Sequence, residues 1–542
     1  MKQLLFSILF MGFGCFVYAQ TLQEAKTSMY YQRYKTASDS LRGIIRNDPG
    51  NTEAWYLLTR CYLKDDHLYS FWDSIPAIPA NLEKSPFIEC AKGDVLLRRG
   101  KKDSAAMFFK AALDQSNQKD PDILLAVAIA NIRSDSGNAV YALDLLNKVI
   151  KSDKKNPAIY VEQGNAERRL FNGTEAYKFY TQATELNKSY AEAYYRLGEL
   201  FVAQNNPDMY LKCFHECVAA DSAYGPAWYA LYYHYYFRDP VQALVYLDKF
   251  ALCSDFDPDN NYRKADLLYL SKQYQEAIRE AGLLVTKKDS PVDARLFKLL
   301  AYSYYALNDT VKAIDNMRIY FEKQADTSLI AKDFESMSDM YGRFPDKQDS
   351  AAIYLTGAIT HEKDSSLKVN EYKDLAGLYK QMKDYKNQTV WLGVYYMSNK
   401  KSGNVDLFNW GISAYLAEEY QTADSVFTIY TEKYPEQTFG FYWKARSDAA
   451  IDTAMEKGLA IGPYKKLIEL SENDSTGHQN KKWLVEAYGY LAAYEANTEK
   501  NYGDAMINLE HILALDPDNE NAKKYIEILK KNSAKSAVSR NK

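Results

Sequence analysis

The residues that come nearest to chemistry by type and spacing are Cys213, His215 and Cys217, in the stretch CFHEC. On a helix the two cysteines stand one turn apart, and two thiolates at that spacing can share one metal ion. Against a metal, Cys217 falls in a slot that other parts of the chain fill with Ala112 or Ala183, which points it into helix packing, while His215 lies on another face. The expectation is two packed thiols and no metal site. HEKDS at His361 and HECVA at His215 begin like the zinc-protease helix, yet the second histidine is Ser365 in one and Ala219 in the other. The chain has only 6 His, widely spread, and no Gly-rich phosphate loop, dinucleotide fingerprint or nucleophile elbow. Carboxylates are plentiful but cluster as DPDN, NDPGN and ENDS, where Asp and Asn cap helices. No catalytic residue and no cofactor is expected, and a non-enzymatic chain is the reading.

These residues sit in a long, helix-rich polypeptide. Of its 542 residues 47% are hydrophobic and 25% charged, with only 24 Gly and 15 Pro, the balance of a folded chain. Lys and Arg number 67 against 71 Asp and Glu, a formal net charge of −4, so nothing in its field favours nucleic acid. The start, MKQLLFSILFMGFGCFVYAQ, combines Lys2, an apolar stretch from Leu4 to Val17, and Ala19 with Val17 two before it. Those are the parts of a cleavable signal peptide over residues 1–19, and the expectation is an exported, periplasmic protein. The rival is a lipoprotein anchored through Cys15, which Gly14 favours and Phe13 and Gly12 disfavour. No other run approaches 18 apolar residues, so no transmembrane span is expected in the mature chain. Cys61, Cys90, Cys213, Cys217 and Cys253 remain, an odd and scattered set that is no disulfide framework.

A spacing recurs along most of the chain. From Gly198, Phe201 lies three on, Tyr210 twelve on, Phe214 four beyond that and Cys217 three further. The same intervals start at Gly93 (Phe109), Gly164 (Tyr180), Ala301 (Met317) and Gly411 (Phe427). Small residues of the second helix, from Ala37 through Ala105, Ala176, Ala243 and Ala423 to Ala505, follow at 33 to 38 residues, apart from a first gap of 68 and a last of 45. The first gap is twice 34 and hides a degenerate unit around Trp55, Leu58 and Tyr62, giving about fourteen units. With closing prolines at Pro49, Pro435 and Pro517, the chain resembles the tetratricopeptide repeat from about Thr21 to Lys531. AWYLLTRCYL (Ala54 to Leu63) and AWYALYYHYY (Ala227 to Tyr236) look like first helices, and DNENAKKYIEILKK (Asp518 to Lys531) like a solvating cap.

The resemblance implies an all-α fold, a right-handed α-α superhelix of helix-turn-helix repeats closed by a capping helix. One hairpin alone cannot bury its apolar face, so each must lean on its neighbours. The organisation expected is a first array over 21–290, a second over 291–531 and a disordered tail at 532–542, with a bend where Pro76 and Pro79 interrupt a second helix. In this family partners lie along the concave face made by first helices. The exposed first-helix positions there give a tyrosine ridge: Tyr195, then Tyr229, Tyr233 and Tyr236, then Tyr262, then Tyr302 and Tyr305. Tyrosine offers rigid apolar area and a hydroxyl, which suits a protein or peptide partner of the cell envelope, or alternatively a glycan or peptidoglycan chain. Asn165 and Arg196 come nearest to a carboxylate clamp, but Val161 stands where a lysine is needed. Secretion, gliding and TonB-linked import systems of Bacteroidota use proteins that look like this, so the resemblance implies an accessory role in such a complex. Asp-Ser/Thr pairs at Asp39, Asp73, Asp103, Asp221, Asp309, Asp349, Asp424, Asp452 and Asp474 are similar to the O-glycosylation motif of exported proteins of that phylum.

Overall fold

The computed structural model describes residues 21–64, 78–287, 292–472 and 480–540. The expected leader at 1–19 with Cys15, Pro76, the expected division between Ser290 and Pro291, and the pairs beginning at Asp73 and Asp474 lie outside the described residues. Among the described residues there are 28 α-helices and no strand. They fall into two compact units, Met1–Leu307 and Asn308–Lys542.

In the first unit the helices are α1 (Leu22–Tyr30), α2 (Tyr34–Asn47), α3 (Thr52–Lys64), α4 (Pro86–Arg98), α5 (Lys102–Gln115), α6 (Pro121–Arg133), α7 (Ala139–Ser152), α8 (Pro157–Arg169), α9 (Gly173–Leu186), α10 (Ala191–Ala203), α11 (Pro207–Ala220), α12 (Gly225–Tyr235), α13 (Pro240–Cys253), α14 (Asp259–Leu270), α15 (Tyr274–Val285) and α16 (Ala294–Ala306). Prolines in the first turn and side-chain caps such as Asp120, Asn156, Asn206 and Asp239 start them where the turn residues predict. The two helices of a hairpin meet where a glycine faces a ring sixteen residues on. A Cβ on Gly93, Gly164 or Gly198 would lie 2.4, 2.4 or 2.3 Å from the ring of Phe109, Tyr180 or Phe214. Seven residues past each of these glycines the chain turns through the left-handed region, at Gly100, Phe171 and Asn205. Close approach and turn together fix the hairpin.

The first unit curls until its first hairpin meets the sixth and seventh. The Tyr30 ring lies 5.4 Å from Tyr190 and 5.5 Å from Tyr224, and the Tyr31 hydroxyl donates to Asp221 Oδ2 at 2.8 Å. Arg33 Nε donates to the Cys253 carbonyl at 2.8 Å. No side chain of its own caps α2, and Asp255, 220 residues away, does so by accepting the Lys35 amide at 2.8 Å and the Thr36 amide at 3.2 Å. Asp255→Ala is therefore expected to cost about 1 kcal/mol, a typical cap, and to speed hydrogen exchange at Lys35 and Thr36 while the amides of α8 and α9 keep their protection.

In the second repeat Pro79 opens a short 3-10 turn, Ala80–Leu82, and α4 packs directly against α3. The second unit comprises α17 (Thr310–Lys323), α18 (Ala331–Gly342), α19 (Gln348–His361), α20 (Ser365–Gln381), α21 (Tyr385–Ser398), α22 (Asn404–Leu416), α23 (Tyr420–Lys433), α24 (Thr438–Ile451), α25 (Ile461–Glu472), α26 (Lys481–Tyr494), α27 (Tyr502–Leu515) and α28 (Glu520–Arg540). Gly411 repeats the hairpin contact, its Cβ position 2.6 Å from the Phe427 ring. The tail expected to be disordered instead continues α28 as far as Arg540. From Asn532 to Arg540 it holds no Pro or Gly, and a helix already propagating meets nothing there to stop it.

Glu371, on α20, is only 5% exposed, and among the described residues no donor reaches either of its carboxylate oxygens. Burial, and then the nearby Glu335 and Glu362 against a weaker pull from Lys368, push its carboxyl up to about 7. Its ordinary value in an unfolded chain is about 4.3, so between those limits the folded state holds a proton that the unfolded state releases. The second unit is therefore expected to gain stability as the pH falls from 8 to 5. Denaturant unfolding at the two pH values checks this, with Glu371→Gln expected to raise the pH 8 value and flatten the dependence.

Candidate functional site

Four of the seven ridge tyrosines meet in one cleft of about 470 Å³ in the first unit. Tyr229 and Tyr233 stand one turn apart on α12, so one face of that helix carries both rings, and Tyr236 and Phe237 follow as the helix ends. Tyr232, which also lines the cleft with its ring 5.5 Å from that of Tyr229, is buried with Ala243, Leu247 and Leu267 and anchors α12 to α13 and α14. Tyr262 and Arg263 come from α14, and Arg295 from the first turn of α16. Three successive first helices thus build one concave wall.

The wall alternates rings and guanidiniums. The Arg263 guanidinium lies 5.9 Å from the centre of the Tyr229 ring, and that of Arg295 lies 4.3 Å from the centre of Tyr262. Each is held by turn residues: Arg263 Nη1 donates to Asp257 Oδ2 at 2.8 Å, and Arg295 Nε to Asp293 Oδ2 at 2.8 Å. The Tyr236 hydroxyl donates to Asp266, and burial followed by that carboxylate drives the phenol far above its ordinary range. Burial, with Asp266, pushes the Tyr262 phenol up to about 12. These phenols stay protonated and act as donors and apolar surface, not as acids or bases.

Three features of the cleft remain open to a ligand. Tyr233 is 73% exposed and Phe237 81% exposed. Arg238 is exposed, and its described contact is a 2.7 Å hydrogen bond from Nη1 to the His234 carbonyl, which leaves the charge without a described carboxylate. The cleft can grip an apolar or planar group between rings and an acidic group at Arg238.

The other predicted ridge residues lie elsewhere. Tyr195 packs 5.7 Å from Phe214 and 5.6 Å from Tyr224, inside the closure that Tyr30 completes, and is not on an open ridge. Tyr302 lies 6.2 Å from Tyr269 with Lys298 above it, and neither Tyr302 nor Tyr305 lines the cleft. Phe237, Arg238, Arg263 and Arg295 escaped the sequence reading. A search for Arg at first-helix positions facing Tyr in the preceding repeat would have found Arg263 and Arg295.

The remaining candidates lie outside the cleft. Cys213 and Cys217 are buried, and the Cys217 thiol lies 3.1 Å from the Ala191 carbonyl. His215 is exposed and turns toward Tyr246, 6.2 Å away. Asn165 donates to Glu162 at 3.0 Å and accepts from the Tyr180 hydroxyl at 2.9 Å. Arg196 is shared between Glu192 and Glu199, each at 2.8 Å. Of the Asp-Ser/Thr pairs, Ser40 and Thr310 are buried, while Ser104, Ser222, Ser425 and Thr453 are exposed.

No family model matches the chain. A DnaJ protein of Oryza sativa subsp. japonica, P58IPK homolog A, is 27% identical over 211 residues, 38% of this chain and 38% of that protein. The chain spans about two fifths of the length of the curated relatives it matches. Among solved structures, the C-terminal part of a TPR repeat-containing protein from Cytophaga hutchinsonii is 27% identical, covering 48% of this chain and 98% of that one with a TM-score of 0.29. A tetratricopeptide repeat protein from Parabacteroides merdae is 17% identical with the same coverages and a TM-score of 0.29. At those TM-scores the course of neither array carries over to this one.

Proposed function

This chain is a tetratricopeptide-repeat array, and from that premise we propose that it is an exported, non-enzymatic scaffold that holds a protein of the cell envelope. The observation that carries the reading is the cleft of Tyr229, Tyr233, Phe237 and Arg238, where exposed rings adjoin a guanidinium without a described carboxylate. Such a wall suits an extended polypeptide segment that presents an apolar side chain to the rings and an acidic one to Arg238. An accessory role in a secretion, gliding or TonB-linked import complex fits an exported protein of this form. The leader over residues 1–19 supports export, and Thr21 caps the first helix two residues after its expected cleavage point. Glycosylation, on this reading, falls on the exposed Ser104, Ser222, Ser425 and Thr453, and the intact mass of protein from its native source reports it.

The test is an affinity pull-down of the tagged mature protein from its own envelope, beside a Tyr233→Ala/Arg238→Ala variant. Both side chains are exposed, so the variant keeps its fold, checked by circular dichroism. A discrete polypeptide retained by the native protein and lost by the variant is the expected result. The exposed faces of Tyr233 and Phe237 beside Asp259 favour a second reading, a glycan that stacks on the rings. Saturable binding to purified peptidoglycan, lost in the same variant with no polypeptide retained, would replace the first reading with the second.

A further inference from the structure

A second concavity lies in the same unit, away from the tyrosine cleft. It has a volume of about 330 Å³, and Lys64, Arg133, Arg168, Arg169 and Arg196 converge on it with Asn165. They come from four first helices: Lys64 ends α3, Arg133 ends α6, Arg168 and Arg169 end α8, and Arg196 lies in α10. The closure of the first hairpin on the sixth and seventh draws these helices around a common interior.

The carboxylates present only partly offset five cations. Arg133 Nη2 pairs with Glu162 at 2.7 Å, and Arg168 Nη1 with Glu199 at 3.0 Å. Arg196 takes Glu192 and Glu199. Arg169 reaches the fully exposed Asp135 at 3.4 Å. Lys64 pairs with no described carboxylate, and its ammonium lies 5.9 Å from the centre of the Tyr34 ring. Each guanidinium carries five N–H donors and spends one to three of them on these pairs, so two or more on each are not taken up by them. Burial, then Arg133, Arg196, Arg98 and Arg60, push the Lys64 ammonium down to about 8, as expected beside a group of cations that the described carboxylates only partly offset.

We propose that this cavity binds a tetrahedral dianion, a phosphate or sulfate group, through Lys64, Arg133, Arg168, Arg169 and Arg196. Guanidinium forks match the oxygen spacing of such a group, and Lys64 adds a point charge from α3. Two negative charges over four oxygens answer donors that arrive from four helices. A carboxylate offers one charge and one plane.

The test titrates sulfate, inorganic phosphate and acetate into the full mature protein by calorimetry at constant ionic strength. Saturable binding of sulfate and phosphate but not acetate is expected. Lys64→Met and Arg169→Met, which break no buried ion pair, should each weaken it about tenfold. Sulfate keeps its charge between pH 7 and 9, so its affinity should fall across that range as Lys64 loses its proton, and Lys64→Met should abolish that fall. Phenyl phosphate separates the sources: affinity equal to that of inorganic phosphate assigns the site to a phosphorylated molecule, and its exclusion assigns it to the free ion. The proposal is overturned if neither ion binds saturably, if both variants bind as the parent does, or if acetate binds equally well.

Discussion

Replacing Gly198 with leucine is expected to destabilise the first unit by about 3 kcal/mol or more, at or beyond the upper end for overpacking a core. A Cβ there would lie 2.3 Å from Phe214 Cε1 and 2.6 Å from Cδ1, so the added atoms fall inside the ring that holds α10 to α11. Neither helix can retreat, because α10 also packs on α9, and α11 on α12. The control is Gly282, on α15, where nothing stands within 4 Å of the corresponding Cβ position. Gly282→Ala is expected to stabilise by up to about 1 kcal/mol through helix propensity alone. Phe214→Ala in the Gly198→Leu background should recover part of the loss, since it vacates the contested space. Urea unfolding of the mature protein reads all three. Equal effects at Gly198 and Gly282 would contradict the hairpin contact.

Replacing Arg196 with methionine is expected to cost about 3 kcal/mol, because it strands the partners of a nearly buried charge. The Arg196 side chain is 13% exposed and binds Glu192 and Glu199, whose own exposures are 16% and 29%. Burial pushes the Glu199 carboxyl up, but Arg196 and Arg168 outweigh it and hold the group below its ordinary value. The stabilisation is thus present above the unfolded value of about 4.3 and is lost as the pH falls through the lower folded value. In Arg196→Met that acid-side loss should shrink, and adding Glu192→Gln and Glu199→Gln should recover much of the stability at pH 7. Urea unfolding at pH 7 and pH 3.5 measures both effects.

The hairpins were legible because their determinants are local. A small residue, a ring sixteen on and a left-handed turn at seven all lie within one repeat, and Gly93, Gly164, Gly198 and Gly411 show the contact that their spacing predicts. The direction in which each exposed ring faces was only partly legible. Tyr229, Tyr233, Tyr236 and Tyr262 come together because adjacent first helices are neighbours by construction. Tyr195 was misread because its surroundings depend on Tyr30 and Tyr224, and the contact between those two spans more than 190 residues and leaves no periodic trace. Asp255 capping α2, and Lys64 meeting the arginines of α6, α8 and α10, arise from the same closure. The helical run to Arg540 was missed because polar composition was weighed above the absence of a helix stop.

The central claim, that the Tyr229–Arg238 wall holds a polypeptide partner, is tested most directly by placing a photoreactive phenylalanine analogue at position 233 and irradiating cells of the native host. The account predicts one discrete polypeptide adduct that disappears when Tyr229 and Arg238 are changed to alanine. It predicts no such adduct from the same analogue at Phe171, which is 97% exposed on a hairpin turn away from the cleft. A folded protein that yields no polypeptide adduct at position 233, or the same adducts at both positions, would contradict it.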